Sequence, residues 1–399
     1  MESIDTLTGV SRDVMVARLR EVALYAHQHR ITLENLTTDQ LDIFHRALSR
    51  TLGSELAIET FAQIVDGLPT ADIAWDKRYP FIFGDTHPIE AHVTICPGVE
   101  EKTRTYLQQY DLHSLLFDPQ VVQQYQDAPI GSKAFHVRLI ELVALGLHQI
   151  AVDLFKREEH RCHTQEEIDH VNSCSSGPRE GTDPAVREAT VPPRPTLFNH
   201  PFYVDLDIYP EGLADIVGYW AEDRIIGGVV LFDRKADPRD PQDRPTMGQG
   251  EGSEVAGVGT GVGGQNPTGD PPNIWLHSAR DRVTYRICQL HDEQQKALVD
   301  YLLAAPGDLS NPLPVLPHKG NRRRIDPDIA HTHFLVFREY WDRKPATQEL
   351  LDFNRRRPRN EGDYPEIRDM LHRVNAVEKE WKEARDTKKL SLTHRPRSQ

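Results

Sequence analysis

FHVRLIELVALGLHQIAVDLF, residues 135–155, is the most apolar stretch of the chain and is about one membrane thickness long. It also carries His136, Arg138, Glu141, His148, Gln149 and Asp153. The opposite charges at Arg138 and Glu141 make a lipid-spanning helix too costly. The stretch therefore reads as a helix from about Ser132 to Arg157, buried on most sides and serving as the hub of a helical core.

The segments before it supply the helices that pack on that hub. Ser11 can cap a helix to about His29, with Val14, Leu19, Val22 and Ala26 on one side. Thr37 precedes Gln40 by the capping-box spacing, and Leu41, Phe44, Leu48 and Leu52 then share one helical face. Gly53 ends that helix and Ser54 starts the next, which carries Leu56, Phe61 and Ile64. A further helix is expected over 99–110. The aromatic stretch from Trp75 to Cys96, broken by Pro80 and Pro88, reads as an ordered loop or short strands. Residues 1–172 form the helical region.

SCSSGPREGTDPAVREATVPPRP, residues 173–195, cannot bury a core and reads as a disordered linker. Beyond it the pattern changes. FYVDLDIY (202–209) alternates like a half-buried strand, with Asp205 and Asp207 opposite Val204, Leu206 and Ile208. A helix is expected over 210–222, and RIIGGVVLFD (224–233) is the strongest strand signal. Further strands are expected at 274–277 and 283–290, and helices at 292–303 and 331–343. A Gly-rich insertion, 235–272, reads as a disordered loop within this 196–345 domain. Residues 346–399 add a long helix from about Tyr364 to Lys388 and a basic tail. That helix carries Ile367, Met370, Leu371, Val374, Val377 and Trp381 in one stripe. The fold class is α+β: a helical region plus a small antiparallel sheet flanked by helices.

Lys and Arg number 47 against 61 Asp and Glu, a net charge of −14 that disfavours general nucleic-acid binding. Four scattered cysteines, Cys96, Cys162, Cys174 and Cys288, make no disulfide framework and fit a reducing compartment. The N-terminus lacks the charge and apolar pattern of a secretory signal. The expected location is the cytoplasm. The basic runs RRRPR (355–359) and Arg322–Arg324 leave the nucleus open, although solvation explains both more cheaply.

No motif specifies a cofactor. Gly259, Gly261 and Gly264 spell G-x-G-x-x-G, but no strand precedes them and no helix follows, so they read as flexible loop. P-loop, nucleophile-elbow, H-E-x-x-H and C-x-x-C patterns are absent. His160, Cys162, His163, His170 and Cys174 offer metal donors without a C-x2-C knuckle, and a polar helix-to-linker segment is the commoner explanation. His87, Glu90 and His92, close to Cys96, form a second donor group. A two-histidine, one-carboxylate site there needs convergence with a distant histidine such as His200 or His331. His331 and His333 share a strand face but splay apart on a helix.

His87 and His92 are the candidate metal ligands. His200, Asp205 and Asp207 are the catalytic candidates, within an acidic run that continues through Glu211, Asp215, Glu222 and Asp223. Two carboxylates on one strand face suit acid–base work, although a solvated sheet face is the default reading.

LFNHPFYVDLDIYPEGLADIVGYWAEDRIIGGVVLFDR (197–234) resembles a group of uncharacterised proteins from filamentous fungi. The resemblance continues through NIWLHS (273–278), PLPVL (312–316) and RIDPDIAHTHFLVFREYWDRKP (324–345). It implies no catalytic residue and hints at a setting near secondary metabolism. The leading expectation is an accessory or interaction protein that meets a protein partner or small molecule through Tyr203, Tyr209, Tyr219, Trp220 and Trp275. The rivals are a metal-assisted enzyme of secondary metabolism and a nuclear regulator.

Overall fold

The computed structural model describes residues 12–76, 87–157, 161–174, 195–234, 272–280, 283–305, 310–343, 362–365 and 367–393. The linker and the Gly-rich insertion lie almost wholly outside them, and RRRPR entirely so. In chain order the first helices are α1 (Arg12–Gln28), α2 (Thr38–Leu52), α3 (Glu55–Asp66), α4 (Ala71–Trp75), α5 (Val99–Gln109), α6 (Pro119–Asp127), α7 (Lys133–Lys156) and α8 (Gln165–Ser173). Then come α9 (Leu213–Ile226), α10 (Asp292–Leu303), α11 (Pro327–Ala330) and α12 (Ile367–Thr393). The strands are β1 (Val229–Asp233), β2 (Ile274–His277), β3 (Ile287–Gln289), β4 (Arg324–Ile325) and β5 (Val336–Phe337).

Side-chain caps set the helix starts. The Thr37 hydroxyl accepts from the Gln40 N–H at 3.4 Å, Ser54 from Ala57 at 3.2 Å and Ser132 from Phe135 at 3.1 Å. α7 is the hub that its composition implies. From Val137 to His148 every residue is buried, and Leu139, Leu142 and Leu147 are fully inside.

α7 packs lengthwise against α9, and Gly218 permits the close approach. A Cβ there would meet the His148 ring at 2.6–2.7 Å. That ring cannot easily yield, because its Nε2 is 3.0 Å from the Asp215 carboxylate and its edge rests on Tyr219. Gly218→Ala is expected to cost about 1–3 kcal/mol through overpacking. A urea midpoint matching the parent would overturn this account.

The sheet order is β4-β3-β2-β1-β5 and every pairing is antiparallel. Strand alternation divides its side chains between two cores. Val230, Phe232, Ile274 and Leu276 join the helical core with Phe44, Phe61 and Leu147. Val229, Leu231, Trp275 and Ile287 face a second core with Tyr203, Tyr219 and, from α1, Leu19 and Ala23. The helical region and the sheet therefore share one core, and the sheet is covered on both faces. No described helix is long and apolar enough to cross a membrane.

Three expectations are corrected. FYVDLDIY is not a strand: residues 201–210 form successive turns, with Tyr203 N–H bonded to His200 O and Ile208 N–H to Asp205 O. Neighbours are buried in pairs, Phe202 with Tyr203 and Ile208 with Tyr209, while Leu206 is exposed, so no alternation survives. The strand expected from Arg224 begins only at Val229, because α9 runs on to Ile226 and ends at Gly227 with φ 113°. The helix expected over 331–343 is replaced by β5 and a short 3-10 turn at Tyr340–Arg343. Pairing of Val336 and Phe337 with β1 outweighs local helix preference there.

The aromatic partner surface is also corrected. Tyr203, Tyr209, Tyr219, Trp220 and Trp275 are all buried, none more than 6% exposed. They fill core volume and present no outer face.

Candidate metal centre

A different set of side chains converges where α3 ends. Asp66 is the last residue of α3, and Gly67 follows in the left-handed region at φ 98°. That turn reverses the chain so that the Asp66 carbonyl accepts from the N–H groups of Cys162 (3.2 Å) and His163 (3.1 Å). Asp66 Oδ1 accepts from the Cys96 N–H at 2.8 Å. Two local devices fix the segments that meet it. The 3-10 turn Pro88–Ala91 ends at His92. A capping box between Thr164 and Glu167 starts α8 directly after His163.

Around the fully buried Asp66 carboxylate the donor atoms point inward. His92 Nε2 lies 2.9 Å from Asp66 Oδ2 and His163 Nε2 lies 3.3 Å from it. Both Asp66 Oδ2 and His92 Nε2 are buried without a well-aligned hydrogen bond. One outer nitrogen is held: His92 Nδ1 is 2.9 Å from the Pro69 carbonyl, whereas His163 Nδ1 faces Glu167 Oε2 at 3.6 Å, an ion-pair separation. An imidazole whose Nδ1 is held by a carbonyl or carboxylate presents Nε2 as a metal ligand. Asp66 close to the ring also keeps the His92 pKa above its ordinary value, despite partial burial.

Sulfur completes the group. Cys96 Sγ is 3.7 Å from His163 Nε2. Cys96 and Cys162 are joined as a disulfide with Cα atoms 6.5 Å apart, a single cross-link where no disulfide framework was expected. Asp66, His92 and His163 place their ligand atoms within 4.8 Å of one another, and so do Asp66, Cys96 and Cys162. Donors bound tetrahedrally to zinc at its usual bond lengths stand roughly 3.3–3.8 Å apart. The nitrogen–oxygen and sulfur–nitrogen distances lie close to that range. In this structure the two cysteines form the cross-link.

Two overlapping donor groups thus meet at Asp66: His92 with His163, and Cys96 with Cys162, drawn from halves of two separate sequence groups. The expected helpers do not join. His87 Nδ1 accepts from the Ile89 N–H at 3.2 Å, capping the 3-10 turn, and Glu90 accepts from the Trp75 indole at 2.6 Å. His170 and Cys174 sit together at the far end of α8, and His160 lies outside the described residues. Asp66 was missed, since in sequence it is only the last acidic residue of an apolar helix.

The catalytic candidates disperse. His200 is fully buried, its Nε2 3.0 Å from the His277 carbonyl. Asp205 and Asp207 sit on the turns before α9, with Asp207 exposed. His331 is buried and its pKa is lowered by that burial, while His333 is exposed, so the two splay apart. The acidic run serves as separate internal fasteners. Asp215 receives His148 and the Glu211 N–H, and Glu222 receives the Val230 N–H and Arg338. Asp223 receives the Ala279 N–H, and burial pushes its carboxyl up to about 6. No family model, curated protein or solved structure matches this chain.

Proposed function

We propose that this chain is a non-catalytic accessory protein whose α3–α8 corner is held by a structural zinc ion. One observation carries the reading: two imidazoles, one with its Nδ1 braced by the Pro69 carbonyl, turn Nε2 onto a buried, poorly paired carboxylate beside two cysteine sulfurs. A disulfide alone accounts for the sulfurs. Ion pairing draws His92 and His163 to Asp66 but does not place the sulfurs on the same carboxylate. Two thiolates and two imidazoles are a closed donor set of the kind that structural zinc takes, with Asp66 alongside as fifth donor or bracing group. A closed donor set leaves no position for substrate on that metal, which supports the accessory reading.

The same geometry favours one second reading. Asp66, His92 and His163 by themselves make a two-histidine, one-carboxylate triad with open positions, which suits a metal-assisted enzyme. X-ray absorption of the chain purified under reductant separates the two. Two sulfur ligands at about 2.3 Å support structural zinc. A shell of nitrogen and oxygen alone, unchanged in Cys96→Ser/Cys162→Ser, supports the triad. Absence of any bound metal, with no uptake on adding zinc, removes both.

A further inference from the structure

The apolar stripe of α12 belongs to none of the cores above. Every described side chain between Met370 and Lys382 is exposed, including Val374 at 59% and Trp381 at 78%. A helix of 27 residues, about 40 Å long, gains little stability in water without packing one face. Ile367, Val374 and Trp381 recur every seven residues, with Met370 and Val377 between them. That is a heptad pattern with a positions at 367, 374 and 381 and d positions at 370 and 377.

The flanking charges say what covers this stripe. On that register Arg373 and Glu380 occupy g, and Glu378 and Arg385 occupy e. In a parallel pair each g residue faces the e residue five positions on in the other helix. Arg373 then meets Glu378 of a second copy, and Glu380 meets its Arg385. Two-fold symmetry doubles both, so all four flanking charges on each helix are matched. An antiparallel pair of greatest overlap sets Glu378 against Leu371 and leaves Arg385 unmatched. Within one helix Glu378 already holds Lys382 at 2.8 Å, a pairing compatible with a second contact.

We infer that α12 pairs with α12 of a second copy of this chain as a parallel two-stranded coiled coil. This is independent of the metal centre, to which α12 contributes no ligand.

Light scattering and sedimentation equilibrium on the full chain test it. The expected mass is twice 45.5 kDa. Val374→Asp is expected to give the monomer with an unchanged melting profile of the body, since the side chain is exposed there. Arg373→Glu/Arg385→Glu and Glu378→Arg/Glu380→Arg are each expected to weaken self-association at least tenfold, and mixing the two variants to restore it. Met370→Cys is expected to form an intermolecular disulfide that the parent chain does not form. A monomeric parent chain, or a dimer that survives Val374→Asp, overturns the inference. A dimer without the Met370→Cys cross-link overturns the parallel arrangement.

Discussion

Chelating metal from the reduced, full-length chain is expected to lower its thermal midpoint by about 5–10 °C. The loss is expected at one corner. The small cluster there contains Leu68, Ala74, Ile89, Ile168 and Val171, with Trp75 and Leu197 at its edge. So few apolar groups cannot by themselves offset the entropy of ordering the 87–98 loop and α8. Without a cation, the Asp66 carboxylate stays buried beside imidazoles that meet it obliquely, and two thiol groups face it without a ligand to bind. A cost of about 3–5 kcal/mol is the expected scale, like that of an ion pair broken in a protein interior.

Hydrogen exchange locates the effect. Protection is expected to fall across 87–98 and 161–173 on chelation and to persist in α7. His92→Ala is expected to reproduce it, whereas His170→Ala, an exposed side chain outside the donor set, is not. If reductant alone, with zinc present, already opens this corner, the Cys96–Cys162 cross-link is the fastener and the zinc reading fails.

The helical half was legible because its signals are local. Thr37, Ser54 and Ser132 each satisfy an N–H within three residues of themselves, and the stripe on α2 repeats with the helix. The sheet was less so. Its strands lie inside two apolar layers, and Val229–Phe232 reads as an unbroken apolar run without showing where α9 stops. FYVDLDIY misled because its alternation is a property of residue type. Tyr203 is held inside by its stack on Tyr219 and its hydroxyl near His277 Nδ1, neither visible locally. The candidate metal site was half legible. Both donor groups stood out, but their meeting depends on the turn at Gly67 and on Asp66 receiving the Cys96, Cys162 and His163 N–H groups. Aromatic composition likewise cannot tell a binding face from a core, and Tyr219 and Trp220 belong to the core.

Glu222→Ala is expected to cost about 3–5 kcal/mol, among the largest effects of any single substitution outside the metal centre. Glu222 is fully buried on α9 and ties together three elements. One carboxylate oxygen accepts from the Val230 N–H of β1 at 2.6 Å, and the other pairs with Arg338, directly after β5. Arg338 is itself buried, with its guanidinium 5.1 Å from the centre of the Tyr219 ring, and the carboxylate beside it keeps its pKa well above the ordinary value. Truncating Glu222 therefore leaves an unneutralised cation and an unmet backbone donor inside the sheet–helix junction. The two costs can be separated. Glu222→Gln keeps an acceptor for Val230 but removes the charge, so most of the loss is expected to remain. Adding Arg338→Met to Glu222→Gln removes the stranded cation and is expected to recover about half of it. Urea midpoints of Glu222→Gln, Arg338→Met alone and the double variant measure this. Additive losses would show that Arg338 is neutralised by other groups, and the assignment of Glu222 as its counter-ion would fall.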